Sequence, residues 1–258
     1  SRRNALPGRA WAQLARQVGE LGEGPSLRVL VIRGHGDTFC AGSNMTDWVD
    51  ADSGYVEESF AHMEAAFSAI EDCPVPVIAE IRGVAAGAGC QLALACDLRL
   101  MADSARIGMP IARLGILASP AFAARMVALA GPAVARELLY TGRLVDARTA
   151  VGLGLADDSV PEEHLAARTS GLAASIAEQP PAARPIRGRR WHGPTSTGRS
   201  PRSSGRGRQP QRSRPPHPDR CRAGRAGSTA GSTAGRGGRG DVLPGPVLRA
   251  VVRRGVAV

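Results

Sequence analysis

The sequence predicts an α/β domain over residues 1–180, followed by a basic segment over residues 181–258 that is expected to be disordered. Three observations point there. Short β-branched apolar runs alternate with helically spaced segments, the pattern of helices layered on a sheet. Two glycine-bearing loops each follow a predicted strand. Composition then breaks near Pro180. Residues 1–180 hold 15 arginines against 21 acidic side chains, and residues 181–258 hold 18 arginines against Asp219 and Asp241 alone. The net charge of +10 therefore divides into −6 for the domain and +16 for the tail.

Taken in order, Gly8 to about Glu20 has helical spacing, with Trp11, Leu14 and Val18 on one face. Leu27 to Arg33 reads as a buried strand, and Gly34 to Asp37 interrupts it with turn chemistry. Tyr55 to Cys73 returns to helical period through Phe60, Met63, Phe67 and Ile70, and Pro74 and Pro76 end it. Val77 to Ile81 is a second strand and Leu98 to Ala102 a third, with a glycine and alanine bend and a short buried helix, Cys90 to Cys96, between them. Ser119 to Ala130, Pro132 to Tyr140 and Asp146 to Val151 supply further helices. Val160 to Glu178 is the last, with Pro161 in its first turn.

The length of 258 residues and the 43% hydrophobic content allow a sizeable core. Cys40, Cys73, Cys90, Cys96 and Cys221 are odd in number and lack paired metal or redox spacing, so they read as reduced core thiols of a cytoplasmic protein. No metal site is expected. No stretch reaches the ~20 apolar residues that a membrane span needs. The opening Ser-Arg-Arg-Asn-Ala-Leu has no apolar signal region. It also lacks an initiator Met, which fits a chain begun inside a longer protein.

Phe39-Cys-Ala-Gly-Ser-Asn-Met45 and Gly83-Val-Ala-Ala-Gly-Ala-Gly-Cys-Gln-Leu92 are the two loops that carry chemistry. Either alone reads as a tight turn. Their order, with Cys-Asp-Leu-Arg-Leu at 96–100 following the second, resembles the crotonase (enoyl-CoA hydratase/isomerase) family. Arg3 to Leu6, Ala105 to Gly115, Tyr140 to Ala147, Gly152 to Leu155 and Val160-Pro161 follow the family in order. The resemblance covers about residues 2–178. It implies a spiral of ββα turns with its first strands missing, and an acyl-CoA thioester as ligand in fatty acyl-CoA metabolism. Coenzyme A enters as part of that substrate, with no separate cofactor.

A thioester that becomes enolate-like gathers negative charge on its oxygen, and backbone amides aimed there stabilise it. By resemblance these donors are the amides of Ser43 and Ala88, the second at a helix N-terminus that favours an anion. Ala41, Gly42, Asn44 and Met45 are implied along the coenzyme A side, with Ala5 and Leu6 nearby and Gly87 leaving room for the thioester. Arg2 or Arg3 is a candidate for the phosphates, although surface arginines are usually just solvated.

Hydratases of the family use two glutamates, and at the matching positions this chain has Gln91 and Ile111. An amide and an alkyl group cannot exchange the protons that hydration requires. The isomerase branch usually keeps the second glutamate, so Ile111 argues against that reaction too, and a third branch places an acid where Ser119 stands. Gln91 remains a weak catalytic candidate, able to orient a water or a carbonyl, and it counts with Ile111 among the substrate-binding candidates. His35, Asp37, Asp47, Glu58 and His62 are the nearby ionisable residues that would have to substitute. One reading is therefore a family enzyme, and the alternative is a non-catalytic acyl-CoA binding protein on the same scaffold.

The family also implies a homotrimer or hexamer, built partly by helices that follow the last one recognised here. In their place this chain runs into Arg, Gly, Pro and Ser repeats, as a shifted reading frame of GC-rich DNA would encode. Poor solubility is expected of such a form. Eighteen arginines could neutralise nucleic-acid phosphates without sequence preference. Trp191 is the tail's sole aromatic residue, which argues against base stacking.

Overall fold

The apolar runs read as strands do form the middle of one sheet. The computed structural model describes residues 3–180 and 248–254. The elements are α1 (Gly8–Gly22), β1 (Leu27–Gly34), α2 (Ser53–Glu71), β2 (Val77–Ile81), β3 (Val84–Ala86), α3 (Ala88–Ala95) and β4 (Leu98–Ala102). They continue through β5 (Arg106–Gly108), α4 (Pro120–Thr141), β6 (Leu144–Asp146), α5 (Ala147–Gly152), β7 (Asp158–Val160), α6 (Glu162–Glu178) and β8 (Leu248–Arg254). Short 3-10 turns occupy Met45–Trp48 and Pro110–Leu114.

The larger sheet has the order β7-β4-β2-β1-β8, with β1, β2, β4 and β7 parallel and β8 antiparallel. Its centre, β2, is buried at all five positions, as expected of a parallel strand covered on both faces. Glu80 is the charged residue within that run, only 3% exposed, with Arg33 at 3.8 Å and Arg82 at 3.9 Å. A buried carboxylate without such partners would be costly.

Helices α1 and α2 pack together. Asp52 caps α2 by accepting from the Tyr55 amide at 2.8 Å, and the chain leaves the helix before Pro74. Trp11 from α1 is wholly buried with its ring edge-on to Phe67 of α2, centroids 5.5 Å apart. Such a pair adds about 0.5–1.5 kcal/mol beyond the area it buries. Arg125 of α4 then fastens α4 to α2, bonding Glu71 at 2.7 Å and Glu64 at 2.5 Å with its guanidinium over Phe67. Glu64, Phe67 and Glu71 lie three and four residues apart, on one helix face.

Several local expectations change in the folded chain. The helices predicted on either side of Gly131 run end to end, and Gly131, at φ 79°, is the joint between them. Val160 does not open a helix: it closes β7, drawn into the sheet by pairing with Ala102, and Pro161 becomes the N-cap of α6. The three-residue strands β3, β5, β6 and β7 escape sequence reading because a period of two has no length in which to show. Of residues 181–258, the described part is β8, which pairs with β1 from Leu27↔Arg254 to Gly34↔Leu248. The rest of that tail, with Cys221 and Trp191, lies outside the described residues.

The smaller sheet, β3-β5-β6, sets the second glycine loop beside the first. Cys40 bridges the two layers: its amide donates to Val84 O and its carbonyl accepts from the Ala86 amide, both at 3.0 Å.

Candidate active site

Each loop is held by close backbone approaches that only glycine allows. Gly42 has φ 101°, and a Cβ there would lie 2.8 Å from Ala86 O and 3.2 Å from the Ala88 nitrogen. At Gly89 a Cβ would lie 2.0 Å from Cys40 O. The first loop thus presses its Ala-Gly-Ser segment against the start of α3. A third strand of chain locks it from behind. Leu6 N donates to Gly42 O at 2.8 Å and Asn44 N donates to Leu6 O at 2.9 Å, a ladder that takes the groups on either side of the Ser43 amide and passes it over.

Asn4 anchors that segment in turn. At φ 55° it turns its amide inward to donate to the carbonyls of His35 and Thr38, at 2.8 and 2.5 Å. A short polar side chain is among the few that tolerate such a backbone.

Gly87 is the N-cap of α3 and supplies no side-chain cap. The first helical hydrogen bond runs from Gln91 N to Gly87 O at 3.1 Å, so the Ala88 amide one turn earlier has no partner inside the helix. Ser43 and Ala88 meet at a cavity of about 90 Å³, together with Ala41, Gly42, Met45, Gly87 and Ile111. All seven of these are sequence-predicted site residues. The remaining walls are Trp48, Phe60, Met63, Pro110, Leu114, Ile116 and Phe122. Among the described residues no titratable side chain lines it.

Sequence reasoning missed those remaining walls. Phe60 and Met63 lay on a helical stripe that reads as core, and Phe122 arrives from α4, far along the chain. Trp48 and Phe60 close one side as a tilted pair, centroids 5.3 Å apart.

The other candidates sit elsewhere. Gln91 is fully buried and does not line the cavity; its Nε2 donates to Phe122 O at 3.2 Å, and its Oε1 is buried without a hydrogen-bond partner. Leu6 is buried behind the first loop, and Ala5 is half-buried beside it. Asn44 turns away into a separate polar cavity of about 660 Å³, where Asp47, Glu58 and His62 also lie. There Asn44 donates to Asp47 at 2.5 Å, and His62 stands 3.9 Å from Glu58. His35 and Asp37 belong to the turn after β1 and line neither cavity. Ser119 caps α4, accepting from the Phe122 amide at 3.2 Å. Arg3 is exposed, and its carbonyl accepts from the Ala41 amide at 3.0 Å; Arg2 lies outside the described residues.

Cys40, Cys73, Cys90 and Cys96 are buried, and none of these four is in a disulfide. Burial pushes the Cys40 thiol up to about 12 against the opposing hydrogen bond from Gly42, and it pushes Cys90 to about 12 against Gly108 and Arg99. Both stay protonated and unreactive at neutral pH. Among the described residues no group of histidine, cysteine, aspartate or glutamate is placed to hold a metal ion, and no helix is long and apolar enough to cross a membrane.

The enoyl-CoA hydratase/isomerase family model matches residues 1–187. The chain belongs to the enoyl-CoA hydratase/isomerase family. It is 33% identical over 181 residues to a putative enoyl-CoA hydratase/isomerase, YngF, of Bacillus subtilis, covering 70% of each chain. It is also 33% identical over 174 residues to the crotonyl-CoA hydratase of Syntrophomonas wolfei, covering 67% of each. The solved enoyl-CoA hydratase of Bacillus anthracis superposes with a TM-score of 0.68 at 31% identity, over 70% of each chain. The α/β architecture is thus the crotonase fold that the paired loops implied.

Proposed function

We propose that this family member binds an acyl-CoA thioester, with the carbonyl oxygen between the amides of Ser43 and Ala88 and the acyl chain against the apolar walls. The observation that carries this reading is the contact of Gly42 with the start of α3, where a Cβ would fall 3.2 Å from the Ala88 nitrogen. That closeness brings Ser43 and Ala88, from two different loops, to one cavity, which supports the reading. Such donors are worth about 10²–10³ in rate apiece where charge develops on oxygen. Ala41, Gly42 and Met45 flank the thioester in this reading, and Gly87 leaves it room.

Proton transfer is the missing half. A positioned acid or base contributes roughly 10²–10⁴, and the cavity offers Ile111 and a wall of alkyl and aryl groups. Gln91 acts on this site from beneath, by holding the Phe122 carbonyl. The domain therefore binds and polarises a thioester but hydrates an enoyl-CoA poorly. Four buried cysteines outside any disulfide suit a reducing compartment, the cytoplasm.

Calorimetric titration with butyryl-CoA and crotonyl-CoA, followed by chromatography of the crotonyl-CoA mixture, tests this. Binding of both with little 3-hydroxybutyryl-CoA is the expected result. Rapid conversion would show that proton chemistry reaches the cavity from another side chain, and absence of binding would refute the reading.

A further inference from the structure

The Ser43 side chain points to a use beyond its backbone. Among the described residues that line the cavity, Ser43 is the one with a side-chain oxygen, and its hydroxyl has the sulfur of Met63 as partner at 2.9 Å. A thioether is a weak acceptor, and Met63 is itself only 1% exposed. The hydroxyl is therefore under-used where it rests, in an apolar pocket where a polar group gains most from a good partner.

Three covalent bonds separate this oxygen from the Ser43 amide nitrogen, so the two donors belong to one wall. An acceptor held by the amide lies within a rotamer change of the hydroxyl. Among the described residues no titratable side chain lines the cavity to take the proton from Ser43, so the hydroxyl acts as a donor and not as a nucleophile. We infer that Ser43 gives the thioester oxygen a second hydrogen bond from its hydroxyl, making a three-donor site with the Ser43 and Ala88 amides. This rests on the acyl-CoA reading above. Charge growing on the thioester oxygen makes it a far better acceptor than the Met63 sulfur, so the exchange of partners favours the polarised substrate.

The test compares butyryl-CoA with its S-butyl thioether, which lacks the carbonyl, in the wild type and in Ser43→Ala, which keeps the amide. The substitution is expected to weaken thioester binding about five- to tenfold, as for loss of one hydrogen bond, and to leave thioether binding unchanged. The infrared stretch of a ¹³C-labelled thioester carbonyl, lowered on binding to the wild type, is expected to move back toward its free value in the variant. Equal losses for both ligands would assign Ser43 a packing role and overturn the inference, as would an unchanged stretch. A wild type that binds thioester and thioether alike would instead overturn the acyl-CoA reading and this inference with it.

Discussion

The carbonyl of Cys40 occupies the space that a side chain at position 89 would need: a Cβ on Gly89 would sit 2.0 Å from that oxygen. Cys40 is pinned on both sides by β3, and α3 is buried along its whole length, so neither partner can retreat cheaply. Gly89→Ala is expected to cost about 3 kcal/mol or more, at the upper end of overpacking, and to abolish acyl-CoA binding. Urea unfolding measures the first and calorimetry the second. A variant of wild-type stability would mean that the two loops are not in contact.

Ile111 lines the cavity, at the position that the sequence resemblance matches to a hydratase glutamate. Ile111→Glu is expected to raise hydration of crotonyl-CoA by about 10²-fold, the lower end of what one positioned carboxyl contributes. Gln91→Glu alone is expected to raise it far less, because residue 91 is sealed beneath the cavity against the Phe122 carbonyl. Product formation by chromatography decides, and a larger gain from position 91 would reverse the assignment.

Arg125 is 6% exposed and bonds both Glu64 and Glu71. Arg125→Met keeps much of the volume over Phe67 and deletes the charge. It is expected to cost about 2–4 kcal/mol in urea unfolding, slightly under the figure for a fully buried pair because both glutamates are partly solvated. Loss of less than 0.5 kcal/mol would show that α4 is held by its apolar contacts alone.

Burial raises the Cys40 and Cys90 thiols from 9.0 to about 12. The unfolded chain releases these protons at lower pH than the folded one. Their contribution is therefore complete below pH 9 and declines as pH rises toward 12, by up to about 1.4 kcal/mol per pH unit for each thiol. The urea midpoint is expected to fall steadily from pH 9 to 10.5, and less steeply in Cys40→Ala measured against its own value at pH 8. In the native state a thiol reagent at pH 8 is expected to leave both residues untouched.

Local signals carried far in this chain. The runs Leu27 to Arg33, Val77 to Ile81 and Leu98 to Ala102 announced three strands, and the Pro74 stop and the Gly131 joint were legible because proline and glycine act on their own backbone. The paired loops marked six residues that meet at the cavity, and the wider resemblance added Ile111. Ser43 and Ala88 could be named as donors only through the resemblance, since spacing says nothing about where an amide points.

Tertiary structure decided the rest. Phe60, Met63 and Phe122 share one cavity where α2 and α4 are joined by Arg125, a contact spanning 54 and 61 residues, and Trp48 joins them by packing on Phe60. Gln91 proved to lie under the cavity and Asn44 beside it, distinctions that depend on which face of a helix or loop meets its neighbour. Sequence alone determined the elements, their order and the loop chemistry, because backbone preference and apolar period act over a few residues. Which groups share one cavity was settled by long-range packing, whose partners no local pattern specifies.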